Sequence, residues 1–425
     1  MRTTALWRRF ACGILFAGSL PIQIFAQETL TWQELKDKFE AVNPTLKAAH
    51  DNIDESRAEE VTAYLRPNPD VSLTADGTQL TPHGGVWRPF SGTFYSPGIS
   101  YLHERQHKRE LRLEAAKETT DVTQSTYFDQ VRSLIFTLRS AFVQVLQEKA
   151  VLQNARENLD YWDRELAVNR KRLQAGDAAE IDVDRLVLQR VQFQSDFETA
   201  VINLRTAKIQ LLQLLNDRTP IEKFDVTGAF DFSEQIMALE KFRDEALATR
   251  PDLKAAVQSV QLAKTNYQLA VANGSTDPTF SVWYTHNGSY NNPDAYNTLG
   301  VSVSIPLRVF DRNQGEKART KTDIARNERL RDAAQAQVFN DVDSAYVALL
   351  GAANLLRPYK EEYLGLAVAV RDKVAFAYQH GGTSLLDYLD AEKAYRDTRL
   401  AYINLVGSYL TAAAQMNMAV GREVL

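Results

Sequence analysis

The sequence predicts a mainly α-helical protein with a membrane β-barrel. It is built from a duplicated unit, and each copy supplies two strands and a set of long coiled-coil helices. Three observations predict this. First, Asn43-Pro44-Thr45-Leu46-Lys47-Ala48-Ala49 recurs 207 residues later as Arg250-Pro251-Asp252-Leu253-Lys254-Ala255-Ala256. Second, Gly176, Ile181 and Asp182 recur as Gly381, Leu386 and Asp387, 205 residues later, so the offset hardly drifts across half the chain. Third, both copies follow one order: a helix, two short alternating strands, a very long helix, a glycine turn and a second long helix.

Residues 1–26 read as an export signal. Arg2, Arg8 and Arg9 form a basic start, Ala11 to Phe25 an apolar run, and Ile24-Phe25-Ala26 a cleavage site. The run is too short to be a spanning helix. It contains Cys12, the only cysteine, so the exported chain has neither disulfides nor cysteine metal sites. Removing it would take away three arginines and no acid, moving the formal charge from −5 to −8. That mild acidity argues against a nucleic-acid binder. No later segment has 18 consecutive apolar residues, so an exported chain of this kind is either soluble or spans a membrane as a barrel.

Residues 31–65 read as a helix ended by Pro67 and Pro69. Asp70 to Asp76 alternates with Val71, Leu73 and Ala75 on one side, as a strand does. A loop from Gln79 to Gly92 leads to a second strand, with Phe94, Ile99 and Tyr101 as outward candidates. The second copy repeats this hairpin with Phe280, Val282 and Tyr284, a loop from Asn287 to Asn297, then Leu299, Val301, Val303 and Ile305, ending at Pro306. Charged, helix-favouring stretches follow, about Lys108 to Ala175 and Asn313 to His380, each on the order of 100 Å long. Pro358 is predicted to kink or break the second.

After Gly176, Leu186, Phe193, Ala200, Ala207 and Leu214 keep a seven-residue repeat, as do Tyr388, Tyr395, Tyr402 and Tyr409 in the other copy. Such rows predict coiled-coil seams, with a ligand groove as the other reading of the tyrosines. Gly176 ends one helix, with Asp177 and Glu180 at capping-box spacing; Gly381 and Gly382 end another, with Ser384 and Asp387 at the same spacing. Residues 216–228 read as a linker, dividing the exported chain into units 27–220 and 221–425.

Four strands cannot close a membrane barrel, whose smallest examples have ~8. An open sheet edge cannot face lipid, so several chains must contribute. Strands alone do not choose between two, three or four chains.

The duplicated unit, the matched hairpins, the strand end Ser304-Ile305-Pro306-Leu307 and the tip residues Tyr378 to Gly381 and Leu386 to Ala391 resemble the TolC-like outer-membrane efflux proteins over essentially the whole exported sequence. The region around Lys108, Arg109 and Arg112 is also similar to the heavy-metal-efflux branch. The resemblance implies a homotrimeric twelve-stranded barrel in the outer membrane of a Gram-negative-type cell, continued by a periplasmic α-helical tunnel. It implies an exit duct, working with a periplasmic adaptor (membrane fusion) protein and an inner-membrane pump. A type I protein-secretion duct and a periplasmic coiled-coil adaptor or scaffold are the alternatives.

Asp387 and Asp390 lie three apart on one helical face, and the resemblance places both in an acidic ring at the periplasmic entrance. The bland reading makes Asp387 a helix cap and Asp390 a solvated acid. Gly176, Asp177, Gly381 and Gly382 are tip turns that the resemblance places at the adaptor. Tyr378 is a gate-packing candidate, as is Asp182, although Asp182 and Asp184 do not share a face. Thr383 stands where the family has a latch arginine, so the closed-state network is expected to differ. Arg105 to Arg112 and Arg308 to Arg319 would lie near lipid headgroups or be solvated faces. His103 and His107 form an isolated pair. No nucleophile set, phosphate loop, catalytic carboxylate pair, cofactor site or metal-ligand spacing is evident, so no enzyme is expected.

Overall fold

The computed structural model describes residues 28–232, 236–288 and 296–425. The expected export signal and most of the second hairpin loop lie outside the described residues.

Strand β1 (Glu28–Leu30) leads into α1 (Trp32–Val42), whose Thr31 and Glu34 form a capping box. The stretch expected as one helix is two, because the chain breaks at Asn43 before α2 (Pro44–Ala63). A residue before proline is pushed to extended backbone, and proline then suits the first helical position. Asn43 accordingly has φ −63° and ψ 120°, and its side chain accepts from the N–H groups of Thr45 and Leu46.

Four strands form one antiparallel sheet. They are β2 (Asp70–Asp76), β3 (Phe94–Leu102), β5 (Thr279–Asn287) and β6 (Asn297–Ser304), in the order β2-β3-β5-β6. The two halves of the duplication therefore join through β3 and β5. Val71 faces Ile99, Ile99 faces Val282, and Val282 faces Val301. Directly opposed residues share a face, so this register makes one side apolar, with Leu73, Phe280, Tyr284 and Leu299 also on it. The other side carries Ser72, Ser100, Ser281 and Ser302. Phe94, an outward candidate by sequence, pairs with Asp76 and Asn287 and so lies on this second face; the alternation of β3 counts from Tyr95, Ile99 and Tyr101. Trp283 is opposite Gly98 on one side and Gly300 on the other. A Cβ on Gly300 would stand 2.3 Å from the indole, so the ring lies against the sheet over the glycine.

Helix α3 (Lys108–Ala175) runs 68 residues and turns at Gly176 into α4 (Glu180–Leu214). The segment expected as a linker contains β4 (Phe224–Val226), which pairs in parallel with β1. Helices α5 (Leu239–Thr249) and α6 (Pro251–Asn273) repeat the α1–α2 break, with Arg250 extended at φ −67° and ψ 121°. Helix α7 (Gln314–Pro358) does not end in a break at its proline. A five-residue π-helical turn, Tyr359–Tyr363, absorbs the missing N–H and passes directly into α8 (Leu364–Gln379). The last helix is α9 (Leu385–Val420).

Both long helices begin from a left-handed residue, His107 at φ 55° and Asn313 at φ 59°. Next to the first, Lys108 is buried against Asp277 at 2.5 Å, and Arg112 forks onto Glu104 at 2.5 and 2.8 Å. Arg109 lies over the Tyr64 ring at 4.3 Å. Part of the first basic stretch therefore ties strands to helices instead of facing headgroups or bulk solvent.

Two cores repeat the duplication. One joins Leu35, Phe39, Leu138, Phe142, Leu211 and Phe224; the other joins Phe242, Ala246, Val338, Leu349, Tyr409 and Met416. The heptad rows are packing seams: Leu186, Phe193, Ala200, Ala207, Tyr388 and Tyr409 are buried. Among the described residues no helix is long and apolar enough to cross a membrane.

The two faces of the sheet make opposite demands on a charge. Val301→Lys is expected to destabilise the protein in lipid vesicles by about 2–4 kcal/mol, while Ser302→Lys costs far less, as read by denaturant unfolding of the reconstituted protein.

Candidate functional site

The hairpins α3–α4 and α8–α9 meet at their far ends, and the residues singled out by sequence gather there. Gly176 ends α3 at φ 83°, a backbone region that costs a side chain energy and glycine little. The N–H of Asp177 then reaches back to the Arg172 carbonyl at 2.8 Å. Gly381 has φ 74°, and the N–H of Gly382 donates to the Ala377 carbonyl at 2.8 Å. Both ends are Schellman-type closures, and all four turn residues are exposed.

The next helix starts differently in the two tips. Ser384 caps α9, with Asp387 returning the bond in a full capping box. In the first tip the cap is Ala179 and no side chain caps it, so the Asp177–Glu180 box expected from spacing does not form. Asp387 Oδ2 also accepts from the Thr383 hydroxyl at 2.8 Å. These donors, Ser384 first, hold the Asp387 carboxyl below its usual range. Thus Thr383 serves the helix start of its own hairpin. Asp390 is exposed one turn on. Asp182 is half-exposed, with Arg185 at 4.0 Å.

Behind the turns lies an aromatic core, of which sequence reasoning missed Trp162. Trp162 stacks on Phe193 with ring centres 5.3 Å apart and meets Tyr388 at 6.0 Å. Tyr378 lies parallel to Tyr388, with centres 4.9 Å apart and planes within 2°. Its hydroxyl donates to Asn169 Oδ1 at 3.0 Å, and the Arg172 guanidinium sits 5.6 Å from its ring centre. One tyrosine of α8 is thereby fixed to α3 and α9 together. Burial raises the Tyr378 phenol above its usual range, so it remains a donor. Trp162 and Asn169 lie seven residues, about two turns, apart on one helix, which looks like a plain seam until the partner hairpin is known.

One group of metal-ligating type occurs among the described residues. His50, Asp51 and Asp54 offer atoms within 4.8 Å of one another. All three are exposed, and Asp54 already pairs with Arg57 at 3.1 Å. Exposed acidic groups of this kind are common without a metal.

With this geometry in hand, the comparison with known proteins is specific. The model of the outer membrane efflux protein family matches residues 35–217 and again 242–422, covering both halves of the duplication. The chain belongs to that family. It is 22% identical to the cobalt-zinc-cadmium resistance protein CzcC of Cupriavidus metallidurans over 97% of this chain and 96% of that one. It is also 22% identical to outer membrane protein TolC of Vibrio cholerae, over 83% and 82% of the two chains. Among solved structures, its fold is similar to the Campylobacter jejuni CmeC outer membrane channel, with a TM-score of 0.75 and 14% identity over 99% of this chain and 94% of that one.

Tyr378→Phe keeps the stack on Tyr388 and leaves the buried Asn169 oxygen without its donor. A loss of about 1–3 kcal/mol of local stability is expected. Hydrogen exchange should quicken in the tip amides of α3, α8 and α9 and stay unchanged near the sheet.

Proposed function

We propose that three copies of this chain close one twelve-stranded barrel in the outer membrane, and that the duct so formed carries metal cations outward from a periplasmic adaptor and an inner-membrane pump. The observation that carries this reading is the two-faced four-stranded sheet, whose outer strands β2 and β6 each keep one unpaired edge. In lipid an unpaired row of N–H and C=O groups is prohibitive, so edges must find edges. The strands alternate in direction along the order β2-β3-β5-β6, so β6 of one protomer meets β2 of the next antiparallel and the ring closes without a break in pattern.

In the closed ring the apolar face turns to lipid and the hydroxyl face lines a wet lumen. The long helices continue that lumen into the periplasm as a tunnel. As a member of a family of efflux channels, the protein catalyses no reaction. A periplasmic scaffold would have no use for a lipid-facing sheet, and that alternative falls away. The units 27–220 and 221–425 act as two near-equivalent staves of the tunnel wall, joined at the sheet through β3 and β5.

Metal cations are proposed as cargo from the likeness to CzcC, a protein named for cobalt, zinc and cadmium resistance. The acid pair at the tip fits that cargo. The Ser384 and Thr383 hydroxyls hold the Asp387 carboxyl below its usual range, and Asp390 lies three residues on, on the same helical face. Three copies would set six carboxylates around the entrance, attracting cations and repelling anions. Gly176, Asp177, Gly381 and Gly382 would present the two closed turns to the adaptor, and Tyr378 with Asp182 would belong to the packing that opening must disturb.

Single-channel recording tests the entrance. With Asp387→Ala and Asp390→Ala combined, block by multivalent cations added from the periplasmic side should weaken at least tenfold. Unchanged block would remove both carboxylates from the conducting path.

A further inference from the structure

The two halves of the duplication enclose a cavity of about 570 Å³ that neither the sheet nor the tip uses. Helices α1 and α3 of the first half form one side. The start of α6, the end of α9 and residues 421–425 form the other. This last segment is folded back and fastened. Asn417 Oδ1 accepts from the N–H groups of Val424 and Leu425 at 2.7 and 3.0 Å. Glu423 accepts from Trp32 Nε1 and from Lys36 Nζ, each at 3.2 Å. The volume lies in the range of small-molecule sites.

One wall of the cavity is a single stripe of α3. Phe128, Val131, Ile135 and Arg139 follow one another at three or four residues, so they share a helical face. The stripe is roughly 16 Å long, apolar for most of its length and cationic at its end. Phe128 is 48% exposed, an aromatic ring left toward water. The Arg139 guanidinium lies 4.5 Å from the Trp32 ring centre and 5.5 Å from that of Phe142. Among the described residues, none accepts from its N–H groups and no carboxylate pairs with it. Burial pulls its pKa below the ordinary range and Glu423 pushes the other way, yet an arginine keeps its charge. Nearby rings satisfy none of its donors, and its planar fork matches a carboxylate through two parallel bonds.

The other charges around the cavity set its balance. Lys36 is held by Glu423 at 3.2 Å, Arg132 by Asp129 at 2.6 Å, and Arg422 by Glu245. Among the described residues, Arg139, Lys254 and the exposed Glu40 are left without an ionic partner. One net positive charge therefore remains, beside an apolar stripe.

We propose that this cavity is a binding site for a fatty carboxylate, its head on Arg139 and its chain along Ile135, Val131 and Phe128. A single negative charge balances the one left over, and an alkyl chain covers the stripe. An acidic peptide would match the charge but would lay polar backbone groups against apolar side chains. Because α3 meets α6 and α9 within one chain, each protomer carries its own site. The ligand touches both halves of the duplication and so favours their packed arrangement by mass action.

The test uses the full exported chain, purified in a neutral detergent, with a diazirine-bearing dodecanoate as probe. Photolabelling should saturate at one probe per chain and map to α3 between Phe128 and Phe136, and to Met418. Plain dodecanoate should displace the probe and dodecanol should not. Arg139→Gln should weaken binding at least tenfold. Lys254→Glu, an exposed change outside the packing, should weaken it severalfold. Equal displacement by dodecanol, unchanged binding in either variant, or label confined to the apolar face of the sheet overturns the proposal. So does displacement by an acidic peptide where dodecanoate fails, which would give the cavity to a protein partner. Labelling needs no conduction, so a labelled protein that forms no channel keeps this site and loses the duct reading alone.

Discussion

An antiparallel sheet with one apolar face, one hydroxyl face and two open edges is stable neither in water nor, alone, in lipid. The rest of the molecule is arranged around that deficit. The exposed Val71, Leu73, Leu299 and Val301 would be an aggregation hazard on a soluble monomer, and become the lipid face once the edges are paired. The buried Lys108–Asp277 pair and the Arg112–Glu104 fork then bind the strands rigidly to the long helices. Position in the barrel thereby sets position in the tunnel.

The duplicated Asn43-Pro44 and Arg250-Pro251 pairs show how the two units are kept in register. Each pre-proline residue is extended and sends its side chain to the last turn of its own unit, and Asn43 alone also caps the following helix with its side chain. Asn43 donates to the Leu214 carbonyl at 3.1 Å, and Arg250 to the Ala419 carbonyl at 3.2 Å. The second contact is heavier, because Arg250 also holds Asp252 and Asp341. Equal geometry has been kept while the chemistry diverged from an amide to a buried ionic network. The tips diverged likewise: one begins its return helix with a full capping box and the other with none.

Much of this was legible in the sequence because it depends on local rules. Repeat offset, strand alternation, glycine turns and heptad rows are written in neighbouring residues, and Asp70–Asp76, Gly176, Gly381 and the Leu186 row fall where those rules put them. What was not legible depends on distant partners. Strand β4 is three residues long and exists because β1 lies beside it. Phe94 turns inward because the register with β2 and β5 decides its face. Trp162 and Leu166 read as ordinary seam residues until the two hairpins are seen to share a core. Pro358 obeyed its local rule in a milder form, since a π turn accommodates it without breaking the helix. The acid pair at the tip remains a reading of chemistry: the capping role of Asp387 is plain within one chain, and its place in a ring needs three.

Edge-to-edge closure can be tested with one experiment, since Cys12 in the expected export signal is the only cysteine of the sequence. A set of double variants, each with one cysteine on β2 and one on β6, would be oxidised in outer-membrane preparations. Closure by three copies gives a covalent ladder of one, two and three chains that stops at three, strongest for one register. Cross-links confined to single chains, or a ladder that runs beyond three, would contradict it.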